Sequence, residues 1–201
     1  MNNLIKAILK LPPIKKTILI ILNCFFGIFY DKKYLTGRWF EKSYLGYIWA
    51  FKGIIYQKIL GLNRKVSWPV SPFNFIFDPN NIIFHPDDLN NFQRSFGCYY
   101  QNFSAKISIG QGTYIAPNVG FITANHDPNN LDNHFLAQDI IIGKNCWIGM
   151  NSVILPGVKL GDHTIVAAGS VVRKNKKFAK GYQVIGGNPA QVMWTINQKK
   201  N

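Results

Sequence analysis

Histidine is the side chain in this sequence best suited to moving a proton near neutral pH, and the chain has four of them. An imidazole with a pKa near 6.5 can take the proton from a hydroxyl or amine group as that group attacks a carbonyl. His126 is the strongest candidate for such a base, because a regular repeat of the sequence is interrupted directly after it. His134 lies in the middle of the interruption, and His85 and His163 lie outside it, so these three are weaker candidates.

The repeat that must position His126 is an aliphatic residue at every sixth position. Its clearest members are Ile142, Ile148, Ile154, Leu160, Val166 and Val172. A period of six fits neither a helix, which repeats at 3.6 residues, nor a single strand, which repeats at two. Each hexad therefore predicts one short strand and one turn, with the aliphatic side chain pointing into a narrow prism, and three hexads would close a triangular coil.

The same register continues on both sides of this stretch and is broken once. Upstream it includes Ile109, Ile115 and Phe121, with Phe103 as an earlier member, and downstream it extends to Phe178 and Val184. Phe121 and Ile142, however, are 21 residues apart, which is not a multiple of six. The coil is therefore predicted to release a loop over 127–141, directly after His126.

These motifs resemble the hexapeptide-repeat acyltransferases, a family that includes galactoside, maltose and serine acetyltransferases. In family order the motifs are Ile115-Ala116-Pro117-Asn118-Val119, Thr123-Ala124-Asn125-His126, Asn145-Cys146-Trp147-Ile148-Gly149, Pro156-Gly157-Val158, Ala168-Gly169-Ser170-Val171-Val172 and Gly187-Asn188-Pro189-Ala190. The resemblance covers roughly the C-terminal half and implies a mainly β fold, a left-handed parallel β-helix. Its handedness rests on the resemblance alone, since crossovers between parallel strands are ordinarily right-handed. Residues 68–93 also look like acetyltransferases of surface-polysaccharide pathways.

The resemblance implies that an acetyl group passes directly from the acetyl-CoA thioester to an acceptor, without a covalent enzyme intermediate. His126 is then the general base, Trp147 lies beside the thiol end of CoA, and the Met150 amide stabilises negative charge on the thioester oxygen. Ala168 is expected to meet the pantetheine arm of CoA, and Arg173 and Lys174 its phosphates. No metal is expected.

Three further expectations concern the acceptor and the surroundings of the base. We expect Asn102, Asn125 and Asp127 to contact the acceptor. The carboxylate of Asp127, Asp132 or Asp139 is a candidate to orient His126 through its second N–H group, and the sequence does not choose among them.

One position departs from the family pattern. Gln191 stands where the family commonly has an arginine or lysine that contacts the nucleotide end of CoA. The candidates to replace this phosphate contact are Lys176, Lys177, Lys180, Lys199 and Lys200.

Composition favours a folded, reduced protein. With 201 residues, 47% of them hydrophobic and 16% charged, the chain has room for one main domain with a sizeable core. Three cysteines, Cys24, Cys98 and Cys146, are too few for a disulfide framework and are expected to be buried thiols. Reduced thiols suit the cytosol.

The N-terminal third has a different character, because residues 1–65 hold twelve lysines and arginines against Asp31 and Glu41. The apolar run 17–30 would reach about 21 Å as a helix, short of the roughly 30 Å hydrocarbon core. We expect a peripheral anchor on an anionic membrane surface, with a helical subdomain packed on the coil as the alternative. Residues 34–62 are predicted to form one or two amphipathic helices. Binding to nucleic acid is not expected, since no reading module is recognisable.

The sequence is therefore divided into a basic helical region (1–65), an extended lead-in with the first coil (66–102), the β-helix (103–190) and a tail (191–201). The expected function is acetyl transfer to a sugar hydroxyl in surface-polysaccharide or lipopolysaccharide synthesis, in the cytoplasm at the inner face of the membrane. A homotrimer with its sites between copies is expected from the resemblance. The alternatives are an amine or small-molecule acceptor, as in N-acetyltransferases or serine acetyltransferase, a metal hydratase like the γ-class carbonic anhydrases, and a scaffold without catalysis.

Overall fold

The computed structural model describes residues 12–197, and most of them from Phe75 onwards form a coil with three parallel sheets. Sheet A joins β1 (Phe75–Ile76), β3 (Tyr99–Gln101), β6 (Gly120–Ile122), β11 (Val153–Ile154) and β14 (Val171–Val172). Sheet B joins β2 (Ile82–Ile83), β4 (Ile107–Ile109), β9 (Ile140–Ile142) and β12 (Lys159–Leu160). Sheet C joins β5 (Tyr114–Ile115), β10 (Trp147–Ile148), β13 (Thr164–Val166) and β15 (Gln183–Gly187), and β16 (Ala190–Thr195) runs antiparallel at its end.

The aliphatic residues of the repeat fill the interior of this coil. Ile148 pairs with Ile115 on one side and with Val166 on the other, so like positions stack from coil to coil. Ile148, Ile154 and Val172 are fully buried, and Ile142, Leu160 and Val166 are almost so. Each six-residue repeat thus contributes one interior side chain to one face of the prism, as predicted.

Two outlying members of the predicted register are displaced. Upstream, Tyr100 occupies the interior position in line with Phe121 and is fully buried, whereas Phe103 lies beyond the end of β3 and is half-buried. Downstream, Ile185 rather than Val184 pairs with Val166. A short 3-10 helix replaces the sheet B strand of the last coil and changes the length of that turn.

The three sheets meet at three edges, named AB, BC and CA after the sheets they join. Edge BC turns through residues with positive φ at Gly112, Asn145, His163 and Tyr182, and edge CA at Gly97, Asn118, Asn151 and Gly169. This left-handed conformation is free of strain for glycine and tolerated by asparagine. At edge AB, within the described residues, Gly157 is the one residue of this kind.

A helical layer covers the first coil. It consists of α1 (Pro12–Phe26), a 3-10 turn (Lys32–Tyr34), a π-type turn (Arg38–Lys42), and α2 (Leu45–Gly53) with a π-type continuation (Ile54–Ile59). Shorter helical pieces lie within the coil, namely 3-10 turns at Pro79–Asn81, Pro86–Asp88 and Lys176–Lys180, and α3 (Asn90–Gln93). One or two helices were predicted in 34–62, and α2 lies there with a π-type turn before it and a π-type continuation after it.

The helical layer is tied to the coil by buried polar contacts as well as by its apolar face. The Arg38 guanidinium and the Trp39 indole both donate to the carbonyl of Asp87, at 2.8 and 2.6 Å. Gln57 is fully buried and donates to the carbonyl of Trp68 at 3.2 Å. Among the helices that the structure describes, none combines the length and the apolar character needed to cross a membrane.

Candidate functional site

The interruption of the coil is a β-hairpin on edge AB. It is formed by β7 (His126–Asp127) and β8 (Asn130–His134), which pair antiparallel. The amide of Phe135 donates to the carbonyl of Asn125 at 2.9 Å and closes the hairpin. Ile140 is already fully buried in sheet B, so the excursion ends earlier than the predicted 127–141.

The root of the hairpin is held by Gln101, whose importance the sequence did not suggest. Its side-chain oxygen accepts from the amides of Thr123 and Ala124 at 2.9 and 3.1 Å, and its side-chain nitrogen donates to the carbonyl of Ala124 at 3.0 Å. The pairing of β3 with β6 brings Gln101 there, and no local motif marks it. The backbone N–H and carbonyl groups of Ala124, two residues before His126, are therefore both bonded to one side chain.

The His126 ring is oriented by a backbone carbonyl. Its Nδ1 lies 2.6 Å from the carbonyl oxygen of Leu131, across the hairpin. A carbonyl oxygen only accepts hydrogen bonds, so Nδ1 carries the proton and Nε2 keeps a free lone pair. The ring is exposed, and its basic nitrogen is thus available to a group that binds outside the coil.

The expectation that a carboxylate orients His126 is wrong. Asp127 accepts from a backbone amide two residues on, at 2.9 Å. Asp139 accepts from the amide of Lys106 at 2.8 Å. Asp132 is exposed on the hairpin, and within the described residues none of the three carboxylates is bonded to the imidazole. The backbone of the hairpin itself does the orienting.

A row of rings runs from His126 down edge AB. The ring centroids of His126 and His134 are 4.1 Å apart, and His134 meets Phe103 edge to face at 5.4 Å. Phe103 in turn meets Phe77 at 5.5 Å. These rings belong to successive coils on the same edge, so the row is a feature of the stacking and not of local sequence.

Another group of predicted residues lies on sheet C and edge CA. The Trp147 side chain projects outward from β10 and is 54% exposed. Met150 lies in the following turn, and within residues 12–197 its amide donates no hydrogen bond. Ala168 occupies the next turn of the same edge, close to Gly149, where an added Cβ would lie 2.6 Å from the Ala168 nitrogen.

Arg173 and Lys174 follow β14 and lie exposed on edge AB, as His126 does. The Lys174 ammonium donates to the side chain of Gln138 at 3.3 Å, at the point where the hairpin returns to the coil. Within one copy, the predicted residues therefore fall into two groups on opposite sides of sheet A. His126 shares its edge with the two cations and is separated from Trp147.

Of the residues expected to contact an acceptor, Asn125 is exposed and Asp127 half-buried, but Asn102 is fully buried. Asn102 accepts from the amide of Asp78 at 3.0 Å and donates to its carbonyl at 2.6 Å. The side chain thus braces edge AB and cannot reach an acceptor outside the coil. The expectation for Asn102 was wrong because a corner asparagine can bond the neighbouring coil.

Comparison with known proteins assigns the family. The family described as "Bacterial transferase hexapeptide (six repeats)" matches residues 139–174. A protein of Lysinibacillus sphaericus named "Probable macrolide acetyltransferase" is 30% identical over 128 residues, which cover 53% of this chain and 69% of that protein. The chain belongs to the hexapeptide-repeat acyltransferase family. The expected fold, a left-handed parallel β-helix preceded by helices, is confirmed.

Two further relatives of this hexapeptide-repeat acyltransferase act on sugars by name. Galactoside O-acetyltransferase of Escherichia coli (strain K12) is 34% identical over 110 residues, covering 50% of this chain and 53% of that protein. The structure of a maltose O-acetyltransferase from Clostridium difficile 630 is 35% identical over 50% of this chain and 54% of that one, with a TM-score of 0.45. The chain spans about half the length of the curated relatives it matches.

Gln191, the position predicted to depart from the family pattern, lies exposed on β16. Of the lysines expected to compensate, Lys177 and Lys180 are exposed on the last 3-10 turn. Lys199 and Lys200 lie outside the described residues, as does the side chain of Lys176.

The cysteines of this hexapeptide-repeat acyltransferase differ in exposure. Cys98 and Cys146 are buried, and burial raises the pKa of both thiols, which stay protonated at neutral pH. Cys24 is exposed on α1, so the expected burial is wrong for this residue. In the described part of the chain, no three His, Cys, Asp or Glu side chains are grouped as a metal site would need.

Proposed function

We propose that this chain transfers an acetyl group from acetyl-CoA to a hydroxyl of a sugar during the synthesis of a surface polysaccharide or lipopolysaccharide. The observation that carries the proposal is the exposed His126, whose Nδ1 is held by the Leu131 carbonyl and whose Nε2 is free. Family membership supplies the reaction class. The sugar and the pathway are inferred from the resemblance of residues 68–93 and from the sugar O-acetyltransferases among the relatives.

In the proposed reaction, the acceptor hydroxyl donates its proton to Nε2 of His126 while its oxygen attacks the thioester carbonyl. The carbonyl oxygen becomes negatively charged, and the free amide of Met150 stabilises that charge. When the tetrahedral intermediate collapses, the C–S bond breaks and the thiolate leaves. His126 then returns the proton to the sulfur, so the imidazole ends as it began and the products are the acetyl ester and CoA.

The donor is expected to bind along edge AB of one copy and against edge CA of a neighbouring copy, where Ala168 lies. Arg173 and Lys174 are exposed there, and cations suit the phosphates of CoA. Gly157 has φ +73 and lies beside Lys174, where an added Cβ would come within 3.2 Å of the lysine Cδ. An added Cβ would come closer still to the side chain of Gln138, so this turn has no room for a side chain of its own.

A complete site requires a second copy, because His126 lies at one margin of sheet A and Met150 at the other. Among the described strands of sheet A, the outward positions from β1 to β11 carry no charged side chain. They are Phe75, Tyr99, Gln101, Gly120, Ile122 and Val153. Such a face suits burial between copies. In a closed ring with sheet A towards the axis, edge AB of one copy meets edge CA of the next, which favours the trimer expected for the family.

The direct test incubates purified protein with acetyl-CoA and a panel of glycans, following thiol release and acetyl-ester formation by mass spectrometry. We expect ester formation by the native chain and its loss in His126→Ala. Unchanged transfer in His126→Ala would overturn the assignment of the base. An amide product would favour the amine-acceptor alternative, and zinc-dependent hydration of CO₂ without CoA turnover would favour the hydratase.

We also propose that the helical layer rests on an anionic membrane surface. Its outward stripes are apolar, comprising Ile20, Ile21, Cys24, Phe25 and Ile28 in and after α1, and Ile48, Phe51, Ile55 and Ile59 along α2 and its continuation. The exposed Lys16 and Lys52 border these stripes, and basic residues favour anionic lipids by about 1 kcal/mol each.

Cys24 allows this contact to be measured on the full chain, because the other two thiols are buried. A polarity-sensitive dye on Cys24 should shift to the blue with vesicles containing anionic lipid, and less so at high salt or with neutral vesicles. The substitution Phe51→Asp should weaken this spectral shift, and the protein should still fold because the Phe51 side chain is exposed. An unchanged spectrum with anionic vesicles would contradict the proposal.

A further inference from the structure

The ring row on edge AB, defined as Phe77, Phe103 and His134, leads away from the proposed base and has no part in the reaction itself. Phe77 is 53% exposed and Phe103 is half-buried, although both are large apolar side chains. They belong to successive coils and contact one another at 5.5 Å. An exposed aromatic row that ends at a reactive group is the arrangement expected of a ligand subsite.

The surroundings of the row fit a sugar better than a purely apolar ligand. The exposed polar side chains of Asn80, Ser104 and Asn125 flank the rings on the same edge. A pyranose has an apolar face of C–H groups, which packs on the electron-rich face of an aromatic ring, and a rim of hydroxyls that needs polar partners. Rings with amides and a hydroxyl beside them offer both.

We propose that the ring row is an acceptor subsite for the pyranose units next to the reacting sugar, so that the preferred acceptor is an oligosaccharide. The inference rests on the proposed function. Phe103 is separated from His126 by a single ring, that of His134. When the reacting sugar lies over His126, the adjoining units therefore reach Phe103 and then Phe77. Beyond Phe77 opens a cleft of about 460 Å³, which leaves space for the chain to continue.

The ring row is distinct from the aromatic pair on the face of sheet A. Phe75 and Tyr99 project outward from β1 and β3 and stack on each other at 5.4 Å, within the face assigned to contacts between copies. Phe77 and Phe103 follow the ends of these two strands and lie on the edge. A sugar bound at the edge would lie in the cleft between copies, beside the face they share.

The test compares Phe103→Ala and Phe77→Ala with Phe51→Ala, an exposed aromatic on the helical layer, away from edges AB and CA (60% exposed against 53% for Phe77). Kinetics are measured with a monosaccharide and with di- to tetrasaccharides of galactose, glucose and N-acetylglucosamine. We expect the oligosaccharide KM to rise by up to about tenfold in Phe103→Ala and less in Phe77→Ala. The monosaccharide KM and kcat should be unchanged in both variants, and Phe51→Ala should match the native chain with every acceptor. Equal effects on both acceptor lengths, or none, would overturn the subsite.

A second measurement separates this inference from the proposed function. Saturation-transfer NMR detects oligosaccharide binding to the full chain without acetyl-CoA. Binding that Phe103→Ala weakens, together with absent acetyl transfer, would keep the subsite and reject the proposed function. Acetyl transfer that is lost in His126→Ala but unchanged in Phe103→Ala and Phe77→Ala would keep the proposed function and reject the subsite. Failure of the whole panel to bind, or loss of the oligomer in Phe103→Ala by native mass spectrometry, would also overturn the subsite.

Discussion

Edges BC and AB of the coil use their side chains in opposite ways. On edge BC the corner residues contact each other from coil to coil. The ring of His163 stacks on Tyr182 at 4.5 Å, and its Nε2 lies 3.5 Å from the Asn145 amide. On edge AB the regular turn gives way to a hairpin, and the His126 ring faces solvent.

The two histidines show what this difference means. His163 occupies a left-handed corner with φ 56, where one face of its ring stacks on Tyr182 and its Nε2 lies beside the Asn145 side chain. His126 is fixed through Nδ1 and keeps Nε2 for another molecule. The same side chain is therefore structural where the repeat is regular and chemically available where it is interrupted. Where the coil is regular, the corner side chains bond to one another, and few of their polar groups stay free to react.

The largest expected effect separates these two histidines. His126→Ala should lower kcat for acetyl transfer by about 10²–10⁴-fold, because proton removal by a positioned base contributes that much. His163→Asn is the matched control, since asparagine tolerates the left-handed corner, and its kcat should stay close to that of the native chain. Steady-state kinetics measures kcat for both variants, and circular dichroism checks that both are folded. A similar loss in both would erase the distinction between the edges.

Gln101 tests whether edge AB needs its hairpin held in place. Gln101→Ala removes the bonds to Thr123 and Ala124, and kcat should fall by about 10–100-fold through misplacement of His126. The KM for acetyl-CoA should be unaffected.

The control for Gln101 is Gln111→Ala, an exposed glutamine on edge BC. Gln101→Glu, which keeps the accepting oxygen, should restore part of kcat. If Gln101→Ala changed only the melting temperature, its role would be structural and not one of positioning.

On edge BC the effect should appear in stability. Asn145 has φ 52, so Asn145→Ala places a strained residue at the corner and should cost about 1–2 kcal/mol of unfolding free energy. Asn145→Gly should be nearly neutral for strain. Urea unfolding measures both variants, and kcat per folded molecule should be unchanged. A drop in kcat without a drop in stability would place edge BC in the reaction.

The smallest expected effect concerns Asp88, whose carboxylate accepts from the Gly112 amide at 2.9 Å at the start of edge BC. Burial raises the pKa of Asp88 above its ordinary 3.8. The folded state then holds a proton that the unfolded chain has lost, so this group's contribution falls as pH rises from 3.8 through the raised value. The unfolding free energy of Asp88→Asn minus that of the native chain should therefore rise as pH increases across that window, and a difference that falls with pH would contradict the assignment.

The interior of the coil was predictable from sequence because one aliphatic residue per face is a direct signature of the fold. The break after His126 was predictable as a failure of that period. Its length was not, since Ile140 resumes the strand before the next member of the repeat. The Leu131 carbonyl and Gln101 were not predicted for a different reason. A backbone oxygen has no residue type, and Gln101 reaches the backbone of Thr123 and Ala124 only through the pairing of strands.

The helical layer was predictable as helical and basic, and its attachment was not. Arg38 meets Asp87, 49 residues away, and no local pattern joins them. Cys24 was expected inside because it lies in an apolar run, but that run covers both faces of α1, and only the face with Asn23 and Phe26 packs on Tyr47 of α2.

The central claim is that edge AB of one copy and edge CA of the next form one site. It is tested most directly by assembling two inactive chains together, His126→Ala and Ala168→Trp, the latter an exposed position where a large side chain blocks the donor path. An equal mixture that assembles at random, with mixed oligomers verified by native mass spectrometry, should return about a quarter of the native activity. In that share of sites, a copy with intact His126 meets a neighbour with intact Ala168. Mixed oligomers that stay inactive would contradict the claim.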